Sequence, residues 1–342
     1  MKVLQVIDSL DVGGAERVCI DISNLLHKNN INVSILTIIE KGRLSSFLDK
    51  KIDLFCLNRK SRVDINAIKK MVLILREYDI IHIHMRHVFR YVKMVSLFYK
   101  IKGKLIFHDH NGRINVNKKP SLFMTTIFKP QYYIGVSREL TKWASLFLNI
   151  KKEQIFLLEN IVIRKEYQKK NKVNTVVHVS NISPHKNQLF SIQLIEKTSY
   201  DLLIIGNVLD IKYYNLLKDY IFKHELGDRI SFIHDETNIQ SILNKFKFAL
   251  MPSFSESGPL VLIEYLAQSL PFIAYKTGEV SNIISDELPF FIDSFDIDKW
   301  LRKIDRILEE DPTILLDTYY KYFNPDDYTK KCLKIYEKIK NY

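Results

Sequence analysis

Residues 251–279, Met-Pro-Ser-Phe-Ser-Glu-Ser-Gly-Pro-Leu-Val-Leu-Ile-Glu-Tyr-Leu-Ala-Gln-Ser-Leu-Pro-Phe-Ile-Ala-Tyr-Lys-Thr-Gly-Glu, decide the fold. They read as a strand end, a loop, a helix, a tight turn, a second strand and a loop. Phe248-Ala249-Leu250-Met251 is a short apolar run, as a parallel strand buried on both faces requires, and Pro252 ends it. Ser257 is a helix-capping residue type, Gly258 lets backbone approach a ligand, and Pro259 suits the first helical position, where its missing N–H would be an orphan. Leu260, Ile263, Tyr265, Leu266 and Ala267 then carry the helix.

Two carboxylates flank this helix start. Glu256 lies in the loop before it and Glu264 lies more than a turn inside it. Free N–H groups at a helix start, with the dipole behind them, favour phosphate. Carboxylates accept hydrogen bonds from sugar hydroxyls, so the local chemistry fits a phosphorylated sugar with Glu256 at one end and Glu264 at the other. The same spacing also fits an ordinary loop-to-helix turn with one solvated and one buried glutamate, and local chemistry leaves both readings standing.

Glu256 and Glu264, seven residues apart within PSFSESGPLVLIEYLAQSLPFIAYKTGEVSNII, resemble the donor motif of retaining GT-B glycosyltransferases of the family 4, group 1 type. Ser269-Leu270-Pro271 stands where that family usually has Gly-Leu-Pro. The resemblance implies an α/β, GT-B fold with two Rossmann-like domains facing across a cleft. It also implies a nucleotide diphosphate sugar as donor and a glycan or glycolipid as acceptor.

The 342 residues suffice for two ordinary domains, and 46% apolar with 26% charged content is a globular composition. Cys19, Cys56 and Cys332 are odd in number and scattered, which argues against a disulfide framework and fits a reducing cytoplasm. The opening MKVLQVIDSL is too short an apolar stretch for a signal peptide, and no run approaches transmembrane length. Net charge is +12. Such an excess suits nucleic acid, an anionic membrane surface or a phosphorylated substrate. No carboxylate occurs from 80 to 108, where Arg86, Arg90, Lys93, Lys100, Lys102 and Lys104 are mixed with Phe89, Tyr91, Phe98 and Tyr99. Arg113, Lys118, Lys119 and Lys129 follow. Basic residues among aromatics suit a membrane surface or single-stranded nucleic acid, and equally a solvated helix. No zinc-finger or RNA-recognition motif is present, so nucleic acid is not expected as a partner.

Taken from the start, Lys2–Ile7 is an apolar strand, followed by Gly13-Gly14-Ala15-Glu16 and an amphipathic helix. Strand, Gly-Gly, helix is a phosphate-approach arrangement without the dinucleotide spacing. The resemblance sets Gly13 and Gly14 near the donor phosphate or the acceptor, with Glu16 structural or on an acceptor hydroxyl. Asn32–Ile38 and Asp53–Leu57 are further strands, and Ile65–Arg76 is a helix. Strand 79–84 carries His82 and His84 on one face, with no further metal ligand evident in the sequence. The family's last histidine of this strand sits at the cleft, which implies His84 on the acceptor side and leaves His82 as a buried, hydrogen-bonded residue. Strand 104–107 ends in His108-Asp109, where the family has a histidine beside the reacting sugar. The resemblance thus gives His108 a catalytic role and Asp109 a place on the acceptor side. Ser137 ends another strand and caps the next helix.

The charged run 164–173 suits an interdomain linker. In the second half, Lys186 matches the family lysine that neutralises the donor pyrophosphate, while Asn181 stands where an arginine is usual. Asn207 closes a strand in the family's nucleotide loop. The implied donor site is therefore Gly13, Gly14, Asn181, Lys186, Asn207, Glu256, Ser257, Gly258, Pro259, Leu260 and Glu264, with Glu256, His108 and Lys186 catalytic. Expected boundaries are 1–165 for the acceptor domain, 166–173 for the linker, 174–323 for the nucleotide-sugar domain and 324–342 for a helix returning to the first domain. No Asp-x-Asp motif is evident at a strand end, so no metal or other cofactor is expected. A basic enzyme of this type is expected at the inner face of the cytoplasmic membrane, extending lipid-linked bacterial surface polysaccharide. A GT-B nucleotide-sugar epimerase shares the architecture, and a nucleic-acid binder is the alternative of a different class.

Overall fold

The computed structural model describes residues 1–112, 119–120, 122–168 and 171–342. Arg113 and Lys118 of the basic stretch, and residues 169–170 of the charged run, lie outside them. The chain forms two compact units, Met1–Val162 with Pro325–Tyr342, and Ile163–Asn324.

The first unit holds a seven-stranded sheet: β1 Lys2–Ile7, β2 Asn32–Thr37, β3 Asp53–Cys56, β4 Ile80–His84, β5 Lys104–Asp109, β6 Tyr132–Gly135 and β7 Ile155–Leu157. Their order is β3-β2-β1-β4-β5-β6-β7 and every pair is parallel. The chain thus winds outward from β1 in one direction and from β4 in the other, and ligands of such sheets sit at the strand C-termini where the order reverses. Register brings Gln5 opposite His82, and His84 opposite His108. These polar residues sit inside otherwise apolar strands, and all four are fully buried. The third strand stops at Cys56, and the helix after it runs Ile65–Leu75, capped by Asp64, whose carboxylate accepts from the Ala67 N–H at 3.0 Å. Helix Pro325–Lys340 belongs to this unit and buries Tyr328, Cys332, Ile335, Tyr336 and Ile339.

The second unit holds β8 Thr175–Val179, β9 Asp201–Ile205, β10 Ile230–Ile233, β11 Ala249–Met251, β12 Phe272–Tyr275 and β13 Phe291–Ile292. The order is β10-β9-β8-β11-β12-β13, again all parallel, with the reversal between β8 and β11. The apolar run before Pro252 is the buried strand β11. A short helix, Gln240–Leu243, ends at Asn244 before the chain enters β11. Helices Ile297–Glu309 and Thr313–Tyr322 complete the unit.

No helix among the described residues is long and apolar enough to cross a membrane. The basic-aromatic stretch divides on folding. Helix Arg86–Phe98 buries Phe89 and Tyr91 against the sheet, while Leu97, Phe98 and Tyr99 at its end are exposed beside Lys100 and Lys102.

Candidate active site

In the second unit three loops meet at the start of helix Leu260–Ala267. The loop after β8 turns through Pro184–Lys186 into a left-handed Asn187 (φ 57°). The loop after β11 carries Glu256, and the Phe254 N–H ties it to the His185 carbonyl at 2.9 Å. The loop after β12 supplies Thr277, whose hydroxyl accepts from the Glu256 N–H at 3.3 Å. Gly278 has φ +82°, and a Cβ there would lie 2.9 Å from Pro259 Cδ and 3.0 Å from Glu256 Cβ. Only glycine fits both the backbone angle and the space.

The Lys186 ammonium donates to Glu256 Oε1 at 2.5 Å, with 20% and 11% of the side chains exposed. The two residues given separate donor duties are thus partners of one another. Glu264 is buried in the second turn of the helix. One local expectation is corrected. Pro259 (φ −65°, ψ 108°) is the N-cap rather than the first helical residue, and Leu260 begins the helix. The Ser257 carbonyl accepts from the Glu279 N–H at 2.7 Å, which holds that segment against the next loop.

Asn181 and Asn207 join strand ends. Asn181 Oδ1 accepts from the Asn207 N–H at 3.2 Å, and Asn207 Oδ1 accepts from the Asp235 N–H at 2.8 Å. The residue in the place of the usual arginine is therefore a hook between the β8 and β9 loops. Gly206 (φ +154°) permits this closeness, since a Cβ there would strike the Ser180 carbonyl.

In the first unit, Gly13 caps helix Gly14–Lys28 in extended conformation (φ −172°). A Cβ on it would strike the Glu16 carboxylate, so Gly13 makes room for Glu16 to fold back over the helix start. Glu16 is partly exposed, and burial, reinforced by Asp8 and Asp11, pushes its carboxyl up to about 7. Asp109 is engaged on every side. Arg86 Nη2 donates to it at 2.6 Å, the Tyr133 hydroxyl at 3.0 Å and the Asn111 N–H at 3.1 Å. The Arg86 guanidinium in turn lies 4.6 Å from the centroid of the Trp143 ring. Asp109 thus organises the end of β5 from within and does not face solvent.

His84 and His108 are likewise buried, in a cluster with His82, His110, Gln5 and Tyr336. Further ligand-type residues are therefore at hand beside His82 and His84, contrary to the sequence reading. Nitrogens of His82, His84 and His108 lie within 4.8 Å of one another. Yet His82 and His84 are stacked, 4.7 Å apart and 10° from parallel. An imidazole lone pair lies in the ring plane, so stacked rings do not converge on one ion, and the nitrogens pair with each other instead. Burial holds His82 down at about 3 and His110 at about 4, and keeps His84 and His108 well below the ordinary histidine range, so all four are neutral at pH 7. Sequence reading missed His110, Gln5 and Tyr336. The His-Asp-His spacing after β5 is a signal that was available for His110, whereas nothing in the sequence joins Tyr336 to β4.

Two doubly wound parallel sheets, one with a glutamate pair around a helix start, are the architecture of the GT-B fold. Residues 12–163 match the model of Glycosyltransferase Family 4, and residues 159–322 match that of Glycosyl transferases group 1. The chain belongs to this family, and it is a glycosyltransferase. An uncharacterized glycosyltransferase of Haemophilus influenzae is 23% identical over 86% of this chain and 87% of its own length. HepE of Anabaena, solved with UDP and glucose, superposes with a TM-score of 0.79 at 17% identity, covering 98% of both chains. TarM of S. aureus, solved in mutant form with fondaparinux, α-GlcNAc-glycerol and UDP, gives 0.78 at 13% identity over 98% of this chain and 100% of its own.

Removing the Asp109 carboxylate by Asp109→Ala leaves the half-buried Arg86 and the buried Tyr133 without their acceptor. It should cost about 3–5 kcal/mol in urea unfolding. Glu16 keeps its proton more readily when folded than when unfolded. The stability this gives is fully present below about pH 4.5 and is lost as pH rises through about 7. Glu16→Gln should therefore match the wild type at pH 4.5 and exceed it by about 1–2 kcal/mol at pH 8, allowing for the partial exposure of the site.

Proposed function

We propose that the chain moves a hexose-type sugar, with retention, from a UDP- or GDP-sugar to a glycan acceptor. The observation that carries this reading is the meeting of Lys186, Glu256 and Glu264 at one helix start. A nucleoside diphosphate there competes with Glu256 for the Lys186 ammonium. Lys186 and the first-turn N–H groups then meet the negative charge that develops on the leaving phosphate. Glu256, released from the lysine, holds the donor sugar and stabilises its cationic centre, and Glu264 holds the ribose hydroxyls. His108 positions the reacting sugar. Positive charge at the phosphate comes from the protein itself, so no divalent cation is needed. The UDP in the HepE and TarM complexes supports a nucleotide-sugar donor, and the α-GlcNAc-glycerol in the latter supports a glycan acceptor.

The acceptor we propose is a lipid-linked bacterial surface polysaccharide intermediate, reached at the anionic inner face of the cytoplasmic membrane. Leu97, Phe98 and Tyr99, exposed beside Lys100 and Lys102, support that docking. Apolar side chains enter the headgroup boundary while lysines meet anionic lipid, at about 1 kcal/mol per basic residue near the surface.

Calorimetry with UDP, GDP and their sugars, with and without EDTA, tests the donor site. Lys186→Ala should weaken the bound nucleotide at least about tenfold, the loss of one charge-assisted contact. Glu256→Gln should bind the free nucleoside diphosphate as well as or better than wild type, yet transfer sugar about a hundredfold more slowly. Tight binding in Lys186→Ala, or binding abolished by EDTA, refutes the assignment. Conversion of the nucleotide sugar without acceptor indicates an epimerase instead. In flotation assays the protein should rise with vesicles containing about 30% anionic lipid and not with neutral ones, and Phe98→Ser with Lys100→Ser should abolish the difference.

A further inference from the structure

The cluster in the first unit contains a continuous run of hydrogen bonds, and its proton positions follow from its ends. Gln5 Oε1 lies 2.8 Å from His84 Nε2. A carbonyl oxygen only accepts, so His84 carries its proton on Nε2, and its bare Nδ1 accepts from His110 Nε2 at 3.0 Å. The other arm of the same amide, Gln5 Nε2, donates to the Tyr336 hydroxyl at 3.2 Å. That hydroxyl has one proton left to give, and His82 Nδ1 is 2.6 Å away. Cys332, its remaining side-chain neighbour, is a weaker acceptor. His82, neutral, then holds its proton on Nε2 and donates it to His108 Nδ1 at 2.9 Å. His108, neutral in turn, holds its proton on Nε2. At the far end His108 Nε2 is buried and has no hydrogen-bond partner among the described residues, so nothing there opposes a proton on it.

We infer that Gln5 and Tyr336 are positioning residues that act through His82 to fix His108 as an Nε2–H donor. His108 therefore has no lone pair to offer. It donates to an oxygen and does not act as a base, so the acceptor proton must go elsewhere, to the leaving phosphate or another group. This consequence for transfer rests on the function proposed above, whereas the proton order does not. The lock also gives the helix Pro325–Lys340 a chemical part in the site, since Tyr336 is its contribution.

The test is long-range ¹H–¹⁵N spectroscopy of the full chain labelled at its ten histidines, without nucleotide, at pH 7. His82, His84 and His108 should appear as neutral Nε2–H tautomers, assigned by single His→Gln variants. An Nδ1–H tautomer or an imidazolium at His82 or His108 overturns the inference. Tyr336→Phe, nearly isosteric, should release the lock and give mixed tautomers at His82 and His108. It should lower kcat about tenfold, the worth of one hydrogen bond, with nucleotide affinity unchanged. Unchanged tautomers in that variant also overturn the inference, and if it fails to fold the wild-type spectrum alone decides. Nucleotide binding is measured separately, so failure of the donor reading and failure of the lock are distinct results.

Discussion

A lysine and a glutamate seventy residues apart in sequence meet at 2.5 Å, and the loops of the second unit depend on that contact. Lys186 follows β8 and Glu256 follows β11, the two strands between which the sheet order reverses. Each alone at that depth would be a poorly solvated charge; together they hold two loops at one helix start. The pair satisfies both charges while it holds the two loops together.

The first unit meets a different demand. Parallel strands buried on both faces should be apolar, yet β1, β4 and β5 carry Gln5, His82, His84, His108 and Asp109 toward their C-terminal ends. Each is engaged by a neighbour, and Asp109 is met by a guanidinium, a phenol and a backbone N–H. Burying such groups is offset only where they are paired, and within the cluster His108 Nε2 is left without a partner. Neutral histidines suit it because each both donates and accepts, so a chain of them extends without burying charge. Asp109 is met differently, by Arg86 from the first turn of the next helix.

Much of this was legible in the sequence. The apolar strands, the helix after Gly13 and the loop-helix-strand of 251–279 follow from local periodicity and from Gly and Pro chemistry. The candidate residues Lys186, Glu256 and Glu264 were also named there, from a motif. What the sequence withheld is pairing. Nothing local says that Lys186 meets Glu256, that Asn181 hooks Asn207, or that Tyr336 reaches β4 across 254 residues. Those contacts are fixed by strand order and register, which depend on the whole sheet. Pro259 suits the first helical position by local chemistry, yet the chain makes it the N-cap, in a segment tied to Glu279 twenty-two residues beyond Ser257.

The chain leaves the first unit at Val162 and re-enters it at Pro325, so the second unit is in effect an insertion within it. During synthesis, β1 to β7 emerge first, but Tyr336, Cys332 and Ile339 are made only after the whole of residues 163–324. Until then the face beneath that helix, with Gln5 and His82 in it, is unfinished and open to water. The ribosome thus imposes an order of maturation: the unit begun first is completed last, and the inserted unit can fold before the unit that holds the histidines is closed.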